Sequence, residues 1–264
     1  MSRAVAADGA EIAWTSVGEP ENPTAVFLHS LGCDSTMWQG QVDALSESHR
    51  VVSVDLRGHG CSDAPPGRYS LDTLGTDVIA VVDAIGADRV TVCGISIGGL
   101  VALWMAIRHP DRVTSLVAAN TAARIGSIQG WNDRIRLVGE EGMEAIAERI
   151  VGNWFMPGFA ERRPDIWDRA LATFRETSAV GYTGCCAALA DADLRGEVGS
   201  ITAPALVIGG DGDGATPPAQ AEWLRDHIPG SDLVVIPDAA HLSNLEQPGV
   251  FTRTVRQFVS TLPQ

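Results

Sequence analysis

Short apolar runs, each stopped by a Gly- or Asp-rich turn, recur along the chain. Residues 24–28 (TAVFL) lead into HSLG, 50–54 (RVVSV) into DLRGHG and 89–93 (RVTVC) into GISIGG. Residues 112–119 (RVTSLVAA) lead into NTAA, 204–208 (PALVI) into GGDGDG and 232–236 (DLVVI) into PDAAH. Each run is rich in β-branched residues and apolar at successive positions, so it reads as a strand buried on both faces of a parallel sheet. Between the runs, residues 71–86 and 98–109 repeat apolar positions at i, i+3 and i+4, which predicts helices. The second stops before Pro110, as the steric restriction ahead of proline requires. Residues 217–228 open on Pro217-Pro218 and residues 248–262 on Pro248, and proline suits a helix's first turn. Strand and helix alternate, which predicts an α/β chain with a parallel central sheet and right-handed crossovers.

The alternation stops between residues 121 and 195. This stretch holds no convincing buried strand; it is helical in pattern and carries Trp131, Trp154 and Trp167 among charges. It reads as a helical cap inserted into a core made of residues 1–120 and 196–264, the plainer reading being a pair of long crossover helices. Gly-containing pieces at 139–142 and 157–158 predict several short helices rather than two long ones.

Composition narrows the function. The 264 residues carry 19 basic and 33 acidic side chains, a formal charge of −14, and every basic residue is Arg. Such a chain is a poor nucleic-acid binder, because neutralising phosphates takes clustered cations, and it is repelled by an anionic membrane surface. No apolar run approaches the ~20 residues that span a bilayer, and the opening MSRAVAADGAEIAW has no apolar signal segment. Five cysteines without regular spacing argue against a disulfide framework, and no CxxC pair offers a zinc site. The expectation is a reduced, cytoplasmic protein that uses no metal. The acidic pairs Asp191/Asp193 and Glu140/Glu141 lack a matching His and read as solvated surface. GISIGG lacks the glycine spacing of a dinucleotide fingerprint, so no cofactor is expected.

The pattern Gly94-Ile95-Ser96-Ile97-Gly98 is weak evidence in a chain with 28 glycines, but here a strand leads in and a helix leads out. That is the setting of a nucleophile elbow, where a strained turn lifts a serine hydroxyl above the sheet edge. A serine needs a base. Of six histidines, His241 lies on a loop after the last strand and best fits the chain order Ser, acid, His. His29 ends a strand, His59 sits in a Gly-rich turn, His109 ends a helix, and His49 and His227 look like surface positions. The acid should follow the preceding strand, where Asp211 and Asp213 are available; Asp213, three residues before Thr216, is preferred. It would accept from the imidazole and fix its tautomer. An oxyanion needs two backbone donors: Ile97, after the nucleophile, and Leu31, in the HSLG loop.

HSLG, DLRGHGCSD, GISIGG, GDGDGATPP and the DAAH loop together resemble α/β-hydrolase fold enzymes over nearly the whole chain. Three narrower signals are similar to 3-oxoadipate enol-lactonases: HSLG itself, NTAARIG at 120–126 with Trp131 beyond it, and GYTGCCAALADADLR at 181–195. His29 departs from the polar residue that family often carries there. The resemblance implies an α/β-hydrolase fold with a mostly parallel central sheet flanked by helices and an inserted helical cap. It implies Ser-His-Asp opening of a small anionic enol-lactone. For the substrate carboxylate the cap offers Arg124, Arg134 and Arg136; the resemblance favours Arg134, with Trp131 or Trp154 packing the ring. Each of these could equally be cap surface or cap core, and Cys185-Cys186 reads as packing. The chain is compatible with a homo-oligomer. Competing readings on the same scaffold are a carboxylesterase, a C–C bond hydrolase, a cofactor-free perhydrolase and a hydrolase-like ligand receptor. Turnover separates the receptor from the enzymes.

Overall fold

The computed structural model describes residues 1–261; position 262, the expected end of the last helix, lies outside the described residues. Eight strands form one sheet: β1 (Ser2–Val5), β2 (Glu11–Val17), β3 (Thr24–Leu28), β4 (Arg50–Val54), β5 (Val90–Ile95), β6 (Val113–Ala119), β7 (Ala205–Gly210) and β8 (Asp232–Ile236). Their order is β1-β2-β4-β3-β5-β6-β7-β8. The first two strands join antiparallel, and every pairing from β4 to β8 is parallel.

The six apolar runs thus become the six parallel strands. β5 and β7 are buried at every position, as strands covered by helices on both faces must be. β8 departs from that expectation: it is an edge strand with Asp232 exposed and only Ile236 fully buried. β1 and β2 do not show the pattern: β1 is the opposite edge and buries only Ala4, and β2 beside it buries only Ile12 and Ala13.

The helices are α1 (Gln39–Leu45), α2 (Leu71–Ala84), α3 (Ile97–Arg108), α4 (Ile128–Glu141), α5 (Ala147–Gly152), α6 (Phe159–Arg162), α7 (Pro164–Glu176), α8 (Ala179–Asp191), α9 (Pro218–His227), α10 (Ser243–Glu246) and α11 (Pro248–Ser260). α3 packs directly on the sheet and buries every residue from Ile97 to Ala106. Truncating one of these side chains, such as Leu100, would cost about 2–5 kcal/mol, so the turn that starts α3 sits on a stiff base.

Among the described residues, 121–195 hold α4 to α8 and no strand. Gly139 lies inside α4, which runs to Glu141 and ends at Gly142 with φ 79°, so α4, α7 and α8 are three full helices and only α5 and α6 are short. α8 approaches the core through a backbone contact. A Cβ on Gly181 would fall 2.3 Å from the Cα of Gly58, in the DLRGHG loop, so only paired glycines permit this approach. That contact is a physical reason for the GYTG stretch.

Candidate active site

Parallel strands point their carboxyl ends the same way, so the residues that follow them gather along one edge of the sheet. Here Leu31 follows β3, Ser96 follows β5, Asn120 follows β6, Asp213 follows β7 and His241 follows β8. Ser96 has φ 58° and ψ −120°, outside the regions favoured by L-residues. The flanking glycines allow this. A Cβ on Gly98 would lie 2.3 Å from the Leu28 carbonyl oxygen, and one on Gly94 would lie 2.1 Å from that of Gly98. The turn is anchored by the Ser96 amide, which donates to the carbonyls of Ala119 and Asn120, both at 3.1 Å.

Asp213 is buried and its carboxylate is saturated with donors. Oδ1 accepts the amides of Ala215 at 2.8 Å and Thr216 at 2.9 Å. Oδ2 accepts the Thr216 hydroxyl at 2.7 Å and the Asn120 side-chain amide at 3.0 Å. The Nδ1 of His241 lies 3.1 Å from Oδ1 and 3.0 Å from Oδ2. Burial by itself would raise this carboxyl, but the contacts with His241 and Thr216 prevail and hold it at about 2. The alternative acid Asp211 is exposed and accepts the amide of Ala239 at 3.3 Å. Because Nδ1–H donates to Asp213, the other ring nitrogen of His241 is left free to accept a proton.

Ser96 and His241 face one cavity of about 200 Å³, which Leu31, Trp131, Arg134, Trp154 and Tyr182 also line. Ser96 is 6 % exposed, and among the described residues its hydroxyl makes no hydrogen bond. Such bonds are often long before substrate closes the site. The amides of Leu31 and Ile97 have no acceptor among the described residues, so two backbone donors stand unused beside Ser96.

The three candidate arginines of residues 121–195 are distinguished by their partners. Arg124 pairs with Asp193 at 3.3 Å and Arg136 with Glu140 at 2.8 Å. Arg134 instead donates to the Tyr182 hydroxyl at 3.2 Å and lies 5.4 Å from the centre of the Trp131 ring. Its charge faces the cavity without a carboxylate among the described residues. The Trp131 indole N–H is spent on the Ile125 carbonyl at 2.7 Å, so this ring offers its face. Trp154 is buried edge-on against Phe174.

The other histidines have different work. His29 Nε2 accepts the Leu56 amide at 2.8 Å while Nδ1 donates to the Ser30 carbonyl at 2.8 Å. His59 Nε2 accepts the Gly32 amide at 3.0 Å, and its Nδ1 donates to Arg57 O at 3.2 Å. Each ring clamps the HSLG loop to the DLRGHG loop and must be neutral to do so. Burial pushes both pKa values down, that of His59 to about 3. His227 is exposed, and His49 and His109 are partly exposed. All five cysteines are unpaired and Cys185 and Cys186 are fully buried. Among the described residues no cluster of His, Cys, Asp and Glu could hold a metal ion, and no helix is long and apolar enough to cross a membrane.

Three residues at the site are not evident from the sequence: Asn120, Tyr182 and Glu246. Asn120 lies in NTAARIG, Tyr182 in GYTGCC, and Glu246 ends the DAAHLSNLE loop, but their partners are far away in the chain or carry no local signal.

Comparison with known proteins agrees with this fold. Residues 23–248 match the family model described as alpha/beta hydrolase fold. The chain is 42% identical over 242 residues to 3-oxoadipate enol-lactonase 2 of Acinetobacter baylyi, covering 92% of this chain and 90% of that one. It is 39% identical over 247 residues to 3-oxoadipate enol-lactonase 1 of the same organism, covering 93% and 92%. The crystal structure of the enol-lactonase from Burkholderia xenovorans LB400 superposes with a TM-score of 0.96 at 40% identity, over 98% of this chain and 100% of that one. A thermophilic esterase from Thermogutta terrifontis, with malate bound, superposes with a TM-score of 0.93 at 27% identity over 98% of each chain. By its strand order, its strained serine turn and these matches, the chain belongs to the α/β hydrolase fold family.

Proposed function

We propose that this chain is a serine hydrolase that opens a small anionic enol-lactone, 3-oxoadipate enol-lactone being the substrate named for two of its relatives. The observation that carries the reading is Arg134, a cation without a carboxylate partner among the described residues in the same small cavity as Ser96 and His241. A cavity of about 200 Å³ suits a ligand of single-ring size with one carboxylate, not a long acyl chain.

The chemistry rests on the contacts. His241 removes the Ser96 proton as the oxygen attacks the lactone carbonyl, and Asp213 stabilises the imidazolium. The Leu31 and Ile97 amides receive the oxyanion; losing such a donor costs about 3–4 kcal/mol in a measured protease. Collapse expels the enol oxygen, which takes the proton from His241, and the freed enol tautomerises to the ketone. Water, deprotonated by His241, then attacks the acyl-serine and releases the acid. Arg134 binds the ring's carboxylate side chain, and the Trp131 and Trp154 rings wall the apolar part. These steps call on side chains, two backbone amides and water. Residues 121–195 act as a cap that supplies this wall. The protein's −14 charge repels an anion at long range, so the local positive charge of Arg134 carries the selectivity. Five unpaired cysteines suit a reducing compartment, and we place the enzyme in the cytoplasm.

The test is steady-state hydrolysis of the enol-lactone beside p-nitrophenyl acetate, with Ser96→Ala as control. The expected result is kcat/KM for the lactone above ~10⁴ M⁻¹s⁻¹, far above the ester, and no turnover by a folded Ser96→Ala. Ester turnover without lactone turnover would keep the serine mechanism and make the chain a carboxylesterase. An active Ser96→Ala would remove the mechanism itself.

A further inference from the structure

Asn120 sits at the carboxyl end of β6 with φ 41°, 1 % exposed. It touches the loops of all three residues assigned to the reaction. Its carbonyl accepts the Ser96 amide at 3.1 Å. Its side-chain Nδ2 donates to Asp213 Oδ2 and to the carbonyl of Ala240, the residue before His241, both at 3.0 Å. Its Oδ1 accepts the Ser243 hydroxyl at 2.5 Å. The amide can be oriented in only one way, since turning it over would set an oxygen against a carboxylate and a carbonyl. Both of its protons and its oxygen are therefore in use, inside the protein, where an unmade bond is costly.

We propose that Asn120 is a positioning residue of the reaction, resting on the reading of Ser96, His241 and Asp213 as its machinery. One neutral amide fixes the Asp213 carboxylate and the His241 loop together, and it does so with a donor that does not ionise. The titratable groups near it are Asp213, from the loop after β7, and His241, from the loop after β8; its other hydrogen-bond neighbours are the Ser243 hydroxyl, the Ala240 and Ile208 carbonyls and the Ser96 amide, with the Thr216 hydroxyl on the same Asp213 oxygen. Asn120 does not line the cavity, so its effect should fall on kcat and not on KM.

Asn120→Asp keeps the shape and changes the chemistry. When protonated, the new carboxyl has one proton for two acceptors. When ionised, it places a second negative charge against Asp213 with no donor between them. The expected result is a kcat that falls as pH rises between about 5.5 and 8.5, where the parent rate holds or climbs, with a deficit of about 10–100-fold at the alkaline end and KM nearly unchanged. Asn120→Ala removes the donors without adding charge. It should lower kcat by about 10-fold or more at every pH while circular dichroism shows a folded protein. A folded Asn120→Ala with parental kcat, or a folded Asn120→Asp with the parental pH profile, would overturn the proposal. Should Asn120→Asp not fold, Asn120→Ala decides alone; should neither fold, Ser243→Ala, which frees Oδ1 only, decides by the same kcat measurement, an unchanged kcat counting against the proposal. Ser96→Ala run alongside separates the two readings. If it is active, the mechanism fails; if it is inactive and the Asn120 variants behave like the parent, only the role of Asn120 fails.

Discussion

The guanidinium of Arg134 donates to the Tyr182 hydroxyl at 3.2 Å, joining α4 to α8 across the wall of the Ser96 cavity. Tyr182 is fully buried, and burial pushes its phenol well above the usual range, so it stays protonated and cannot neutralise Arg134. The arrangement holds a positive charge in place at the cavity wall with no carboxylate against it among the described residues.

Arg134→Ala should therefore raise KM for an anionic lactone far more than for a neutral ester. A hydrogen bond to a charged group is worth about 1.5–3 kcal/mol, which sets the loss in kcat/KM at about 10–100-fold. Tyr182→Phe should show the same preference with a smaller loss, because the charge remains while its anchor is gone. Equal losses on both substrates would remove Arg134 from the binding site.

Glu246 ties the His241 loop to the segment around Met156. Its two carboxylate oxygens accept the Met156 amide at 2.8 Å and the Ala240 amide at 2.6 Å, and the Leu242 amide donates to the Trp154 carbonyl at 3.0 Å beside them. Burial raises its pKa above the usual carboxylate value despite these donors. Glu246→Gln keeps the shape but turns an NH₂ toward one of the two amides. Its kcat should drop by about 10-fold as the His241 and Trp154 segments loosen together. Parental kcat in this variant would mean that the latch is dispensable.

Stability should fall on the acid side. An unfolded imidazole titrates near ~6.5. His59 in the fold is held at about 3, and burial lowers His29 as well. Between those values the unfolded chain binds the proton and the folded chain does not, so stability rises with pH across this window and is lost as pH falls through it. Urea unfolding at pH 6.5 and 4.5 should differ by something on the order of 2 kcal/mol from His59 alone. His59→Gln should flatten the slope; an unchanged slope would show that His59 is not buried as a neutral ring.

Gly181→Ala tests the seat of α8 on the DLRGHG loop. The new Cβ would meet the Gly58 backbone at 2.3 Å, and backbone cannot step aside as a side-chain tip does. Overpacking of this kind costs about 1–3 kcal/mol, which at this size lowers Tm by roughly 2–4 °C per kcal/mol. Calorimetry should record that drop, and an unshifted Tm would deny the close approach.

Much of the fold is written locally. Six apolar runs specify six parallel strands because most of their positions leave water on both faces, β8 at the edge excepted, and Gly94 and Gly98 mark the serine turn because a Cβ on either would strike backbone. Ser96, Asp213 and His241 could be picked out because each comes just after a strand, and parallel strands deliver such residues to a common edge. The strands β1 and β2 were not legible, since β1 is an edge strand that buries too little to impose a pattern and β2, though paired on both sides, buries only two of its seven positions. The residues by themselves left Arg124, Arg134 and Arg136 open, with only the family resemblance favouring Arg134, and the meeting of Asn120 with Asp213 across 93 residues of chain was not legible at all. Apolar periodicity records which positions leave water. Which polar groups then satisfy one another depends on directions and distances between remote segments, and those exist only once the chain has folded.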